Sequence, residues 1–480
     1  MAQARLHYLD ENDKGALHEQ TMRVLAEAGV AFNVPEAIDL LADAGARVDR
    51  ERLTAFLPEQ LVRAALKLTP REVLLAARDP ACDVVVGGDH PLSVCSDGTA
   101  TYLLDDETGE RLPGTAERLR LVMRLLDALP QCDYVWPSLS ARDLDPATAN
   151  LEIEYISLVE CAKHLQDEVR GPEFVAPLVE LLEAVAGASL KERPIFSSIN
   201  CTVAPLQHDA DMTRATLGLA RAGVPIIVMP MPLMGTTAPA SVMGNCVVTM
   251  AEILSTVVLL QLAAPGCPLI AAPEPGVADL RSGGYLCGAP EADLASLASI
   301  EMCRFYGLPN QVGGLGGDAL YPDLQEGAEG MASALLGALL GADSMVGFGT
   351  LDGAQTFSLA DAVLDDDLMA AVRRYLGTSP VDGATALVDD IVEVGPGGHF
   401  LSRRSTRAAA RSGVLWNPSV LRRGRGQGDP RALVREAAER AAEILESHRA
   451  APLDDDVVRS VEDVIARYAR LAGAAPPRRR

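Results

Sequence analysis

Along the chain, two hydrophobic patterns alternate: apolar residues spaced three and four apart, and short unbroken apolar runs. In the first hundred residues the helical spacing covers 15–29, 35–44 and 58–67, and β-rich runs follow at 71–77 and 83–86. Residues 97–105 predict a strand, and 106–111 a hairpin turn. From Thr115 the rhythm changes. Leu119, Val122, Met123 and Leu126 mark one face of a helix closed by Pro130, and a short apolar strand follows at 134–137. Buried strands are then predicted at 194–200, 224–229, 268–272, 310–314 and 344–348. Helices lie between them: one capped by Asp209 and ending at Gly223, then 241–263, 290–306 and 325–340, the last stopped by Gly341.

Strand and helix units repeated at this length imply a parallel sheet covered on both faces. No Gly-x-Gly-x-x-Gly opens a helix after the first strand, and chemistry-bearing residues follow many different strands. The expected fold is therefore an α/β (β/α)₈ TIM barrel over 115–415, with an α+β cap at 1–114 and a helical extension at 416–480. An open doubly wound sheet is the alternative.

Of the 480 residues, 48% are hydrophobic and 22% charged, which suits a soluble globular enzyme. The formal charge of −24 argues against nucleic acid or an anionic membrane as partner and favours cationic small molecules. The arginines at 422, 423, 425 and 478–480 are read as solvated tails or interdomain ion pairs. Nine cysteines contain no Cys-x-x-Cys pair and suggest reduced, buried thiols in a cytoplasm. No signal peptide is evident, and the apolar stretch 246–265 carries Glu252, so a buried helix is expected there rather than a membrane span. No metal-spaced His/Cys set, P-loop or Gly-x-Ser-x-Gly elbow is present, so no metal site is expected.

In a barrel, the residues just beyond the strands converge on one mouth. Those segments carry Asn200, Cys201 and His208, then 230–237 with Met231 and Gly235, then Pro273-Glu274-Pro275 and Gly316-Gly317-Asp318. Substrate-binding candidates are Tyr102, Asn200, His208, Met231, Gly235, Tyr321, Gln325 and Phe348. Each has a structural alternative: Asp318 or Asp323 also suits the N-cap of the helix near Gln325, and Tyr102 also suits ordinary strand packing. Glu252, inside an apolar helix, needs a hydrogen-bond or charge partner wherever it sits. In Gly395-Pro396-Gly397-Gly398-His399-Phe400-Leu401, three glycines and a proline surround one histidine, which points to a tight turn or to close approach by a ligand.

Several motifs in one order resemble the trimethylamine methyltransferase-like corrinoid methyltransferases across almost the whole chain. They are the His-Glu-x-x-Met-x-x-Leu-x-Glu-x-Gly-Val of 18–30, Gly88-Asp89-His90, the Asp-Glu-Thr-Gly-Glu-Arg of 106–111, and the Pro-Leu-Met-Gly-Thr-Thr-Ala-Pro of 232–239. The Pro-Asp-Leu-Gln-Glu-Gly of 322–327 and the glycine-rich stretch 395–401 complete the set. The chain is written wholly in standard residues, so it is similar to the non-pyrrolysine branch, the glycine betaine methyltransferase-like enzymes. The resemblance implies transfer of a methyl group from a quaternary or tertiary methylamine, such as a betaine, to Co(I) of a corrinoid (cobalamin) carried by a separate protein. A quaternary ammonium already has a neutral amine as leaving group, so no proton need be delivered. The cation loses its charge as the methyl leaves, which predicts a modest aromatic cage rather than several close carboxylates.

Asp318, Glu252 and His399 are the catalytic candidates, and Gly397, Gly398 and His399 the candidates for contact with the corrinoid. A homo-oligomer is expected. Relatives carry histidine in the stretch matching Met345-Val346-Gly347-Phe348, whereas this chain has none. A betaine would require an arginine at the mouth, and none is evident. Two other classes stay open: a betaine-binding sensor on the same fold, and a lyase with Lys163 as its Schiff-base amine.

Overall fold

The computed structural model describes residues 5–98, 100–377, 382–422 and 432–474. Eight parallel strands close on themselves: β1 (Ser93–Ser96), β2 (134–135), β3 (Leu165–Glu168), β4 (Phe196–Cys201), β5 (Ile226–Met229), β6 (Leu269–Ala271), β7 (Gln311–Gly313) and β8 (Ser344–Phe348). Continuous ladders run through β3, β4, β5 and β6, with Phe196 opposite Leu165, Ser198 opposite Ile226 and Ile226 opposite Leu269. A second set joins β7, β8 and β1, with Ser344 opposite both Gln311 and Ser93. Bridges at Cys95–Tyr134, Val135–Leu165 and Ala271–Asn310 complete the circle. Helices follow the strands in turn: Ala116–Ala128, Ala149–Glu160, Val175–Ala186, Ala210–Ala222, Val242–Ala263, Pro290–Tyr306, Leu324–Leu340 and Leu359–Leu376. This is the expected (β/α)₈ barrel.

The local rules behind the sequence pattern hold. The Asp209 carboxylate accepts the amides of Asp211 and Met212 at 2.9 and 2.8 Å, and Gly223 closes that helix at φ 95°. Asp323, rather than Asp318, caps the helix Leu324–Leu340. Other parts departed from expectation. β1 lies inside the segment expected as cap, and the eighth helix ends at Leu376, well before 415. β1 is only four residues long and buried on both faces, so it has no alternation to announce it. β3 reads Leu-Gln-Asp-Glu, too polar for the pattern of a buried strand, because three of its side chains serve polar sites inside the barrel.

Two layers fill the barrel interior. Val73, Leu75 and Val86, from the antiparallel hairpin Glu72–Leu75 and Val84–Gly87, join Tyr134, Ile199 and Ile270 in one apolar cluster. The hairpin sits at the amino-terminal end of the strands, where the Ala76 carbonyl lies 2.7 Å from His164 Nδ1, just before β3. Within the barrel, Gln311 bonds to Tyr134 and Gln166, and the Tyr134 hydroxyl meets Ser344 Oγ at 2.6 Å. One end of the barrel is thereby stoppered and the other left for a site.

The helix Val242–Ala263 has the length and hydropathy of a membrane span, but it is mostly buried in the fold. The amino-terminal helices Glu11–Glu27, Pro35–Asp43 and Glu59–Leu68 pack over it, so an all-apolar circumference has partners on every side. Ala432–Ser447 packs on Leu359–Leu376, and Asp455–Ala472 on Val175–Ala186, outside the barrel as expected. Arg422 pairs with Glu436, whereas Arg423, Arg425 and Arg478 to Arg480 lie outside the described residues.

Candidate active site

A cavity of about 390 Å³ opens at the carboxyl ends of the strands. β1 contributes Asp97, β2 Trp136, β3 Glu168, β4 Cys201 and β5 Met229 and Met231. Glu274 follows β6, Gly313 ends β7, and Val346 and Gly347 belong to β8. Tyr285 and Asp293 close one side. Among the described residues lining it there is no lysine, arginine or histidine; all four charged groups are acids. Met231 and Gln355 are exposed where they line it, so the cavity communicates with solvent.

Backbone geometry makes the space. Gly347 sits at φ 148°, and a Cβ there would lie 1.6 Å from the Gly314 carbonyl oxygen, so only glycine lets the ends of β7 and β8 meet. A Cβ on Gly98 would approach the Trp136 ring to 3.2 Å. The indole is fixed from behind, donating its Nε1–H to Asp167 at 2.8 Å.

The acids differ in what holds them. Asp97 accepts from the Gly98 amide at 2.7 Å and the Thr350 hydroxyl at 2.8 Å, yet burial still raises its pKa. Glu274 is raised well above the carboxylic range, first by burial and then by the nearby Asp97. Its Oε1 is buried with no hydrogen-bond partner among the described residues. Asp293 is pushed up to about 7 by burial and by Glu329. Glu168 accepts from the Cys201 thiol at 3.1 Å. Four carboxyl groups are more than the modest cage expected, and burial favours the protonated form of Asp97, Glu274 and Asp293.

Of the candidates named from the sequence, Met231 lines the cavity, and so do Cys201, Glu274, Pro275 and Gly316 from the same loops. Asp318 stands directly behind, accepting the amides of Cys287 and Gly288 at 2.9 and 3.0 Å and so setting the cavity-lining Cys287. Glu252 has the partners it needed, the Thr202 hydroxyl and the Leu206 amide, and braces the loop after β4. His208 is buried, stacked on Phe32 at 4.7 Å and bonded to Ser255 Oγ at 3.0 Å, with its pKa pulled down to about 4 by burial. Asn200 turns outward from the strand to Thr216 at 2.9 Å.

Tyr102 lies in the hairpin with the Arg111 guanidinium 5.8 Å from its ring centroid. Gly235 occupies a turn at φ 95°, Gln325 bonds Glu329 at 2.8 Å, Tyr321 is half exposed and Phe348 is fully buried in β8. None of these eight, from Glu252 to Phe348, lines the cavity. Gly397, Gly398 and His399 are on an exposed turn, also outside its lining. Lys163 donates to the carbonyls of Leu126 and Leu129 at 2.7 and 2.9 Å just before β3, at the end of the barrel opposite the cavity, which removes it as a Schiff-base amine. Asp97 and Glu168 were missed because β1 and β3 were not recognised; Trp136 lies in the strand expected at 134–137 but was not named as a site candidate, and Tyr285 and Cys287 lie on a long loop whose sequence gives no sign of where it folds back.

The chain matches the model of the family described as "Trimethylamine methyltransferase (MTTB)" over residues 2–473. It is 30% identical over 468 residues to "Trimethylamine methyltransferase MttB" of Methanosarcina thermophila, covering 95% of this chain and 96% of that protein. It is also 30% identical over 417 residues to "Glycine betaine methyltransferase" of Desulfitobacterium hafniense (strain Y51), covering 84% of each. Among solved structures, the Methanosarcina barkeri monomethylamine methyltransferase (MtmB) superposes with a TM-score of 0.55 at 11% identity, covering 98% of this chain and 89% of that one, a likeness of fold. The chain belongs to the trimethylamine methyltransferase family and is a methyltransferase.

Proposed function

We propose that this chain takes a methyl group from a small cationic methylated amine without a carboxylate, a quaternary ammonium first and a tertiary amine second, and delivers it to a corrinoid carried by a separate protein. The observation that carries the substrate class is the cavity wall: four acids, one indole and no basic side chain among its described residues. A betaine carboxylate placed there would face like charge with no donor cation, a costly arrangement in a partly desolvated site. This departs from the betaine expected by resemblance.

The residues present suit an acceptor that arrives from outside. No described histidine lines the cavity to hold a corrinoid within this chain, and the exposed Met231 and Gln355 leave the mouth accessible. When bound, the corrinoid supplies the nucleophilic cobalt that receives the methyl. The chain's own residues bind and orient the amine. Trp136 offers a ring face for a cation–π contact worth about 0.5–2 kcal/mol, and Asp97, Glu168 and Glu274 supply negative potential that strengthens as protons leave. Because the nitrogen is already losing its positive charge in the transition state and is neutral in the departing amine, a wall whose acids regain protons easily avoids holding the cation too tightly. A cytoplasmic location fits such a partner.

The reading is tested by incubating the protein with a Co(I) corrinoid protein and single amines. Tetramethylammonium, choline or trimethylamine should yield methyl-Co(III) in the visible spectrum, and glycine betaine and carnitine should not. Turnover confined to the betaines would overturn the substrate class. Ligand-dependent thermal stabilisation without turnover on any amine, with a corrinoid protein active toward another methyltransferase, would favour a sensor.

A further inference from the structure

Glu154 sits in the middle of the helix Ala149–Glu160 and is fully buried. Neither of its carboxylate oxygens receives a hydrogen bond from a donor among the described residues. Arg170 is near enough to act on its charge but does not bond to it. A buried carboxyl without a donor costs free energy that a leucine in the same helix position would avoid, so packing alone gives no reason for an acid there.

The Glu154 carboxyl stands within hydrogen-bond reach of the Asp167 carboxyl on β3. Two buried carboxylates in contact repel too strongly for both to stay ionised, so one of the pair keeps a proton and bridges to the other. The surroundings decide which. Asp167 accepts the indole Nε1–H of Trp136 at 2.8 Å, which stabilises its anion, and Glu154 has no such donor. The proton therefore rests on Glu154, whose O–H donates to Asp167. Burial acts in the same direction, lifting Glu154 well above the carboxylic range and Asp167 to about 6. The line of contacts leads to the cavity, because Trp136 is part of its wall. An anion bonded to the indole N–H pushes electron density into the ring, and hydrogen bonds in series polarise one another. A cation is drawn to a ring face by the ring's quadrupole, so a more electron-rich ring holds it more strongly.

We propose that Glu154 and Asp167 form a buried pair of carboxylic acid and carboxylate that tunes Trp136 as the cation-recognising ring of the cavity, Asp167 holding the charge and Glu154 supplying the hydrogen bond that keeps it there. Both are positioning residues, since neither lines the cavity. The inference rests on the reading of the cavity as a site for a methylated ammonium.

Three variants separate charge from packing. Asp167→Asn keeps an acceptor for the indole and removes the charge, Glu154→Leu removes the donor to Asp167, and Glu154→Gln retains one. Choline and its neutral carbon isostere, 3,3-dimethyl-1-butanol, are titrated into each protein at pH 7.5. Affinity for choline should fall roughly threefold to tenfold in Asp167→Asn and Glu154→Leu, while Glu154→Gln stays close to the wild type. Affinity for the isostere should be the same in all four, whereas a misplaced indole would cost both ligands alike. The chain contains two tryptophans, so the Trp136 Nε1–H resonance can be assigned in a Trp416→Phe background. In the free protein it should lie downfield in the wild type and Glu154→Gln and move upfield in Asp167→Asn and Glu154→Leu. Circular dichroism verifies that each variant is folded; should Glu154→Leu fail to fold, Asp167→Asn set against Glu154→Gln carries the test. An indole resonance equal in all the proteins overturns the proposal, and so does an equal loss of affinity for choline and its isostere. Failure of the cavity reading looks different: the resonance follows the variants as expected, but neither choline nor tetramethylammonium binds the wild type, and the ring's role in recognition falls with that reading.

Discussion

Glu274 keeps one carboxylate oxygen in the cavity wall without a donor, an arrangement that costs free energy unless a proton or a cation meets it. Glu274→Gln should weaken binding of a quaternary ammonium by on the order of tenfold, roughly 1.4 kcal/mol, while leaving the melting midpoint equal or higher. Calorimetric titration beside thermal scanning checks both. The same group sets a pH dependence. With Glu274 raised well above its ordinary range and Asp293 pushed up to about 7, the empty cavity holds protons that a bound cation expels. Affinity for a permanent cation such as tetramethylammonium should therefore rise from pH 6 to pH 8, with proton release seen as a dependence of the binding enthalpy on buffer. An affinity flat across that range would show that these acids do not face the ligand.

At the level of elements, the mouth depends on how closely the ends of β7 and β8 approach. Gly347→Ala would force its Cβ against Gly314 or push the strands apart. We expect a loss of about 1–3 kcal/mol in urea unfolding and at least a tenfold drop in kcat/KM, since both strands wall the cavity. A fully active Gly347→Ala would mean that the loops, not the strand ends, set the site. Element boundaries also explain what was legible. Helices with a cap and a glycine stop, such as Ala210–Ala222, were plain from the chain. β1 and β3 were not, and with them went Asp97 and Glu168, because short interior strands carry no alternation and polar interior strands look like loops.

Across the whole molecule, burial has been imposed on many acids. Glu326 is raised to about 9 and Asp361 to about 8, each chiefly by burial, and Asp365 is raised well above its ordinary value beside Asp361. A carboxyl whose folded pKa exceeds its unfolded one binds more protons when folded, so its contribution to stability is intact below the unfolded pKa of about 4 and is lost as pH rises through the folded value. His164 and His208, drawn down to about 4, act in the opposite sense and remove stability as pH falls below about 6.5. The melting midpoint should therefore fall from pH 7 to pH 9, and Glu326→Gln should flatten that fall; thermal scans of both proteins across the range decide it.

The sequence by itself determined the fold class, because alternating periods, caps and glycine stops are local and survive without any knowledge of neighbours. It also determined the family, through motifs spread over the length of the chain. It pointed to loops whose Met231, Glu274 and Gly316 line the cavity, since a barrel sends the segments after its strands to one mouth. Only the tertiary structure decided which side chains on those loops turn inward. His208 and Asn200 turn away into packing, the glycine-rich turn at 395–398 lies on the surface, and Trp136 and Tyr285 come to the cavity from distant segments. Side-chain direction at the end of a strand depends on barrel closure and on what packs behind it, and neither is encoded within a few residues of the side chain itself.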